Sequence, residues 1–122
     1  ENMEATICRR DNSEKHQVQI DKIEEIPIIL QNIQDGLFND AKTFMDDNTC
    51  TTNSFADFTK TLSNDNQFIK AYWDGSDETE LKIKEETKAT IRCIIDDVND
   101  DTKKCIYSNK PAKHLVVFAK AY

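Results

Sequence analysis

Apolar positions along this chain recur in two rhythms, every second residue or every third to fourth. The first rhythm opens it. Ala5-Thr6-Ile7-Cys8 and His16-Gln17-Val18-Gln19-Ile20 flank the polar stretch Arg9-Arg10-Asp11-Asn12-Ser13-Glu14-Lys15. Asp, Asn and Ser side chains hydrogen-bond their own backbone in turns, so residues 4–20 predict a β-hairpin. The rhythm then changes. Asp21 and Glu24 have capping spacing, and Pro27, which lacks a backbone donor, suits a first helical turn. A brief turn at 22–25 and a long helix over about 27–47 are expected. Leu30, Ile33, Leu37, Ala41, Phe44 and Met45 fall on one face of that helix. Gly36 inside it costs about 1 kcal/mol relative to Ala, which packing has to offset.

Residues 48–53 are polar and break the pattern. Ser54 is placed to cap a second helix carrying Phe55, Phe58 and Leu62, and Gln67 to Trp73 has strand composition. Asp77 and Glu80 form a capping pair for a third helix at about 77–88, with Glu78–Lys82 and Glu80–Lys84 as i,i+4 pairs. Thr90 to Ile95 reads as a strand, residues 96–112 as irregular, and His114 to Tyr122 as a last strand rich in Leu, Val and Phe. The expected fold is an α+β two-layer sandwich, with helices packed on a mixed β-sheet in β-α-β-α-β-β order.

Composition narrows the function. Lys+Arg number 16 against 23 Asp+Glu, a formal net charge of −7. Phosphate affinity comes largely from Lys and Arg, so so acidic a chain is a poor grip for nucleic acid by itself. No apolar run approaches the length of a membrane span. The 122 residues suit one domain, or one domain with a stub of a neighbour. The chain opens on Glu1 and not Met, and is expected to belong to something longer.

Chemical motifs are sparse. Cys8, Cys50, Cys93 and Cys105 form no CxxC pair, so the paired spacing of a structural zinc site is absent; reduced, mostly buried thiols are expected. The acidic run Asp96 to Asp101 fails as a calcium loop, because Thr102 stands where Gly is needed and Ser108 where a bidentate Glu is needed. Cys93 or Cys105 with His114 would be a nucleophile–base pair only if a thiol left its packing. Arg9, Arg10 and Lys15 make the densest basic cluster, and Tyr72 and Trp73 read as sheet-edge packing. On composition and spacing, this is an α/β domain without a visible catalytic apparatus.

Several stretches, in order, nonetheless resemble the C-terminal part of prolyl-tRNA synthetases of the archaeal/eukaryotic type, which some bacteria also carry. Arg9 to Lys15 resembles the family's Arg-Arg-Asp-Thr-Gly-Glu-Lys. Leu37-Phe38-Asn39-Asp40-Ala41-Lys42 is similar to its Leu-Phe-x-x-Ala-Lys helix. Phe68 to Gly75 resembles its Ala-Pro-Trp-Cys-Gly strand end. Lys84 to Ile94 is similar to its Lys-Glu-Glu-Thr-Gly-Ala-Thr-Ile-Arg-Cys-Ile run. Lys110-Pro111-Ala112-Lys113 and Phe118 to Tyr122 match its last strand.

The resemblance implies the C-terminal accessory domain of a class II enzyme that joins proline to tRNA-Pro with ATP and Mg²⁺, as a cytoplasmic homodimer. Residues 1–20 would be the tail of the anticodon-binding domain, and 21–122 the appended domain. Catalytic residues would lie outside these residues, and the partners would be the catalytic and anticodon-binding domains of the same enzyme, with no membrane. The Tyr122 carboxylate would contact the catalytic domain, and Arg9, Arg10 and Lys15 would lie near tRNA. The family's zinc cysteines fall on Asp74, Thr79, Cys105 and Ser108. Only one remains a cysteine, so no zinc is expected, and Asp74 and Thr79 are expected to help cap the helix at 77–88. The competing reading is a free-standing acidic protein-interaction module.

Overall fold

A computed structural model describes residues 3–64 and 67–121. The chain divides into two compact units, with the division in sequence between Phe44 and Met45.

In the first unit, β1 (Glu4–Cys8) and β2 (Lys15–Gln19) pair antiparallel, Ala5 opposite Val18 and Ile7 opposite His16. Arg9 and Ser13 close the turn, with Ser13 N–H donating to the Arg9 carbonyl at 3.0 Å. Ser13 takes φ 63°, the left-handed region that favours glycine. Residues Ile20–Glu25 form 3-10 turns preceded by Gln19, which gives no side-chain cap. Asp21 therefore lies inside the first turn, not at the cap its spacing predicts. Helix α1 (Ile26–Asp47) places Pro27 in its first turn. Its apolar residues do not form a core: none is buried, and Leu30 (60%), Leu37 (54%) and Phe38 (62%) are largely exposed. Nothing comes within 4 Å of a Cβ built at Gly36, so no packing here offsets that glycine.

The second unit carries a four-stranded mixed sheet in the order β3-β4-β6-β5. β3 (Thr49–Thr51) lies where the polar composition predicted a break; it runs parallel to β4 (Phe68–Trp73). β6 (His114–Lys120) pairs antiparallel with β4 and with β5 (Ala89–Asp97). β4 is thus an interior strand, and Trp73 belongs to the core instead of packing at an edge. Alternation decides the faces. Ile69, Ala71, Val116 and Phe118 are fully buried, while Lys70, Tyr72, Leu115 and Val117 are only half-buried.

Helices α2 (Phe55–Asn64) and α3 (Asp77–Thr87) supply the other layer. Phe58 meets Phe118 edge to face at 5.2 Å between ring centres, a favoured aromatic geometry. Ile83 is fully buried in the same cluster. Ser54 Oγ accepts from Asp57 N–H at 3.4 Å, at the N-terminus of α2. Lys88 ends α3 at φ 64°, its N–H bonded to the Lys84 carbonyl.

Among the described residues β5 pairs with β6 alone, and it is bulged at 91/93 and 94/96. Cys93, opposite Val117 on the half-buried face, is exposed, and so is Cys8. The expectation of mostly buried thiols therefore fails for both. An apolar strand sequence does not bury a residue on an edge strand whose face the helices leave uncovered. Residues 98–113 are less irregular than composition predicts. They fold back as a small hairpin, with Ala112 N–H donating to the Lys103 carbonyl and Ile106 N–H to the Tyr72 carbonyl.

Candidate functional site

The densest polar contact in the second unit forms where β4 runs out. Asp74 follows the last strand residue, and Gly75 turns the chain at φ 79°. A Cβ on Gly75 would sit 3.1 Å from Lys113 Cδ, so both conformation and space favour glycine. Ser76 then caps α3, its Oγ accepting from Thr79 N–H at 3.3 Å. The cap lies one residue before the Asp77–Glu80 pair that spacing singled out.

Asp74 sits at the centre of these bonds. Its Oδ1 accepts from Ser76 N–H at 3.1 Å. Its Oδ2 accepts from Thr79 Oγ1 at 2.9 Å and from Ser108 Oγ at 2.6 Å. Ser76 Oγ donates onward to Thr79 Oγ1 at 2.9 Å. Ser108 belongs to the tight turn at 105–110, where Cys105 N–H donates to the Lys110 carbonyl and Asn109 N–H to the Cys105 carbonyl. Asp74, Thr79 and Cys105 are all buried, at 6%, 5% and 3% exposure. Burial alone would raise the Asp74 pKa. The bonds from Ser108, Ser76 and Thr79 outweigh it and hold the carboxyl below its ordinary range.

The sequence-predicted positions Asp74, Thr79 and Ser108 therefore meet, and Cys105 heads the turn that carries Ser108. As a zinc cage the set does not fit. Zinc's structural sites take four soft or anionic ligands in a tetrahedron, whereas this set offers one thiol, one carboxylate and two hydroxyls that both spend their hydrogens on that carboxylate.

Other candidates stand apart. Arg9 forks onto Asp11, at 3.1 Å from Nε and 2.6 Å from Nη2, so much of its charge is answered within the hairpin; Arg10 and Lys15 are exposed. His114 Nδ1 lies 2.8 Å from Asp97 Oδ1, and its ring rests on Trp73. Among the described residues no hydrogen bond joins it to Cys93 or Cys105. Tyr122 lies outside the described residues. The stretch Asp74-Gly75-Ser76-Asp77 has turn and helix-cap composition, and Ser76 supplies the cap itself. Among the described residues, no helix is long and apolar enough to cross a membrane.

A helical layer on a mixed sheet, with a buried polar junction where β4, α3 and the 105–110 turn meet, defines an α+β sandwich domain. The family model "Prolyl-tRNA synthetase, C-terminal" matches residues 55–122, and the chain belongs to that family. It is 45% identical to the proline–tRNA ligase of Prosthecochloris aestuarii over 94% of its length, and 45% identical to that of Amoebophilus asiaticus over 95%. It spans about a quarter of those relatives, 25% and 24%. A crystal structure of prolyl-tRNA synthetase from Cryptosporidium parvum, complexed with halofuginone and AMPPNP, matches 99% of this chain at a TM-score of 0.84 and 26% identity. The match takes up 26% of that enzyme's chain.

Proposed function

We propose that these residues are the C-terminal accessory domain of a class II proline–tRNA ligase of the archaeal/eukaryotic type, an enzyme that joins proline to tRNA-Pro with ATP and Mg²⁺. In this reading, residues 1–20 end the anticodon-binding domain and 21–122 form the appended domain. The enzyme works as a cytoplasmic homodimer, and no chemical step falls on the described residues. The observation that carries the reading is the match along almost the whole chain to about a quarter of the ligases. The domain's part is mechanical. Its second unit packs a core of its own, while the apolar face of α1 is left to be covered by the catalytic and anticodon-binding domains. Arg9, Arg10 and Lys15 lie on the tRNA side, and the Tyr122 carboxylate contacts the catalytic domain. A carboxylate is a fixed anion that Arg or backbone donors can hold.

The test is proline-dependent ATP–pyrophosphate exchange and tRNA-Pro charging by the intact protein, before and after deletion of Tyr122. Exchange with proline, weakened by the deletion, is the expected result. Exchange with a different amino acid, or none, would defeat the ligase reading, and full exchange without Tyr122 would defeat its role. The alternative, a free-standing acidic interaction module, predicts no exchange at all.

A further inference from the structure

The family resemblance implies zinc cysteines at the positions of Asp74, Thr79, Cys105 and Ser108, and the residues present there do not suit the ion. Yet the end of β4, the N-terminus of α3 and the 105–110 turn still meet at those positions, through side chains 34 residues apart in the case of Ser108 and Asp74. We propose that the Asp74 carboxylate has taken the metal's place, as a buried anionic clamp that joins these segments without an ion. The proposal rests on the family's ligand positions and not on the ligase activity.

The electrostatics are inverted. A zinc centre is a cation ringed by thiolates; here an anion is ringed by donors. The hydrogens balance. Thr79 Oγ1 and Ser108 Oγ each give their hydrogen to Asp74 Oδ2, the Ser76 amide gives its own to Oδ1, and Ser76 Oγ gives its hydrogen to Thr79 Oγ1. A hydroxyl has one hydrogen to give, so no donor is used twice. Thr79 N–H is answered by Ser76 Oγ and Lys110 N–H by Ser108 Oγ. The anion also lies beside the N-terminus of α3, the positive end of that helix. An uncompensated buried carboxylate would be costly; this one accepts bonds on both oxygens. Thr79 and Ser108, which would be weak zinc ligands, are suited to hold it.

The experiment uses the intact protein. It measures zinc content after growth with added zinc, and amide hydrogen exchange over residues 74–79 and 103–112 with and without EDTA. The proposal expects no stoichiometric zinc and exchange indifferent to the chelator. Asp74→Asn keeps the shape but cannot accept all of these bonds, and is expected to speed exchange several-fold in both segments; Ser108→Ala should speed it mainly in 103–112. The combined variant Asp74→Cys/Thr79→Cys/Ser108→Cys, with Cys105, should take up zinc and become chelator-sensitive. Stoichiometric zinc in the unaltered protein, or unchanged exchange in Asp74→Asn, would overturn the clamp. Failure of the triple-cysteine variant to bind zinc would overturn the idea that the clamp stands where a metal did. Neither readout depends on amino-acid activation, so failure here is distinct from failure of the ligase reading.

Discussion

In residues 45–122, Phe58, Ile69, Ile83, Val116 and Phe118 are fully buried; among the described residues of 1–44, Val18 is the one buried hydrophobic side chain. The two stretches carry similar amphipathic patterns, so the pattern does not explain the contrast. The difference is what each pattern faces. Phe58 has Phe118 across from it, and the sheet's helix-facing side is matched by two helices. The face of α1 meets nothing within its own unit that buries it. A periodic apolar stripe thus guarantees a surface that needs covering, without saying that the covering lies in the same stretch of chain.

The sharpest way to break this contrast is to truncate one aromatic in each unit. Phe118→Ala should cost about 3–5 kcal/mol, the range for a large core side chain. Phe38→Ala, at 62% exposure, should stay within about 0.5 kcal/mol in the 122-residue chain. Urea unfolding of the two variants checks both, and equal costs would remove the contrast. Next in size is Asp74→Ala, which leaves buried hydroxyls without their acceptor and should cost about 1–3 kcal/mol. The same carboxyl gives a pH signature. Its folded pKa is lowered, so its stabilisation is fully present above the ordinary carboxylate pKa and is lost as pH falls through the folded value. Denaturant midpoints of wild type and Asp74→Asn should therefore converge on acidification below about pH 4, and a constant gap would contradict the assignment.

Smaller effects sharpen the comparison by stabilising. Lys88 sits at φ 64° where the resembling family run has Gly, so Lys88→Gly should gain about 1 kcal/mol. Gly36→Ala should gain about the same in the separate chain, because open space surrounds that Cβ. If another domain closes over α1 in the intact protein, the gain at Gly36 should shrink or reverse there, while the gain at Lys88 persists. Smallest is the exposed Lys82–Glu78 pair, 2.7 Å apart; Lys82→Met should cost no more than about 0.5 kcal/mol.

Much of the fold was legible. The hairpin, the helices and the strands through Trp73, Ile91 and Phe118 follow from periodicity and turn chemistry. What escaped had local signals too weak or too long-range to read. β3 is Thr-Cys-Thr, too short and polar to show a period, and it is a strand because β4 offers it a partner edge. Cys93 sits in an apolar run yet faces out, since register and bulges on an edge strand set its direction. The junction at Asp74 was legible only as four positions from a family resemblance. Composition reads Asp, Thr and Ser as solvated turn residues, and only the fold brings Ser108 within 2.6 Å of a carboxylate far away in sequence.

The most direct test of a self-supporting unit joined to one completed by its neighbours is amide hydrogen exchange, on the 122-residue chain alone and within the intact protein. The account predicts slow exchange for β4 and β6 in both, and fast exchange along α1 in the separate chain that becomes slow in the intact protein. Equal protection of α1 in the two samples, or unprotected β4 and β6 in the separate chain, would contradict it.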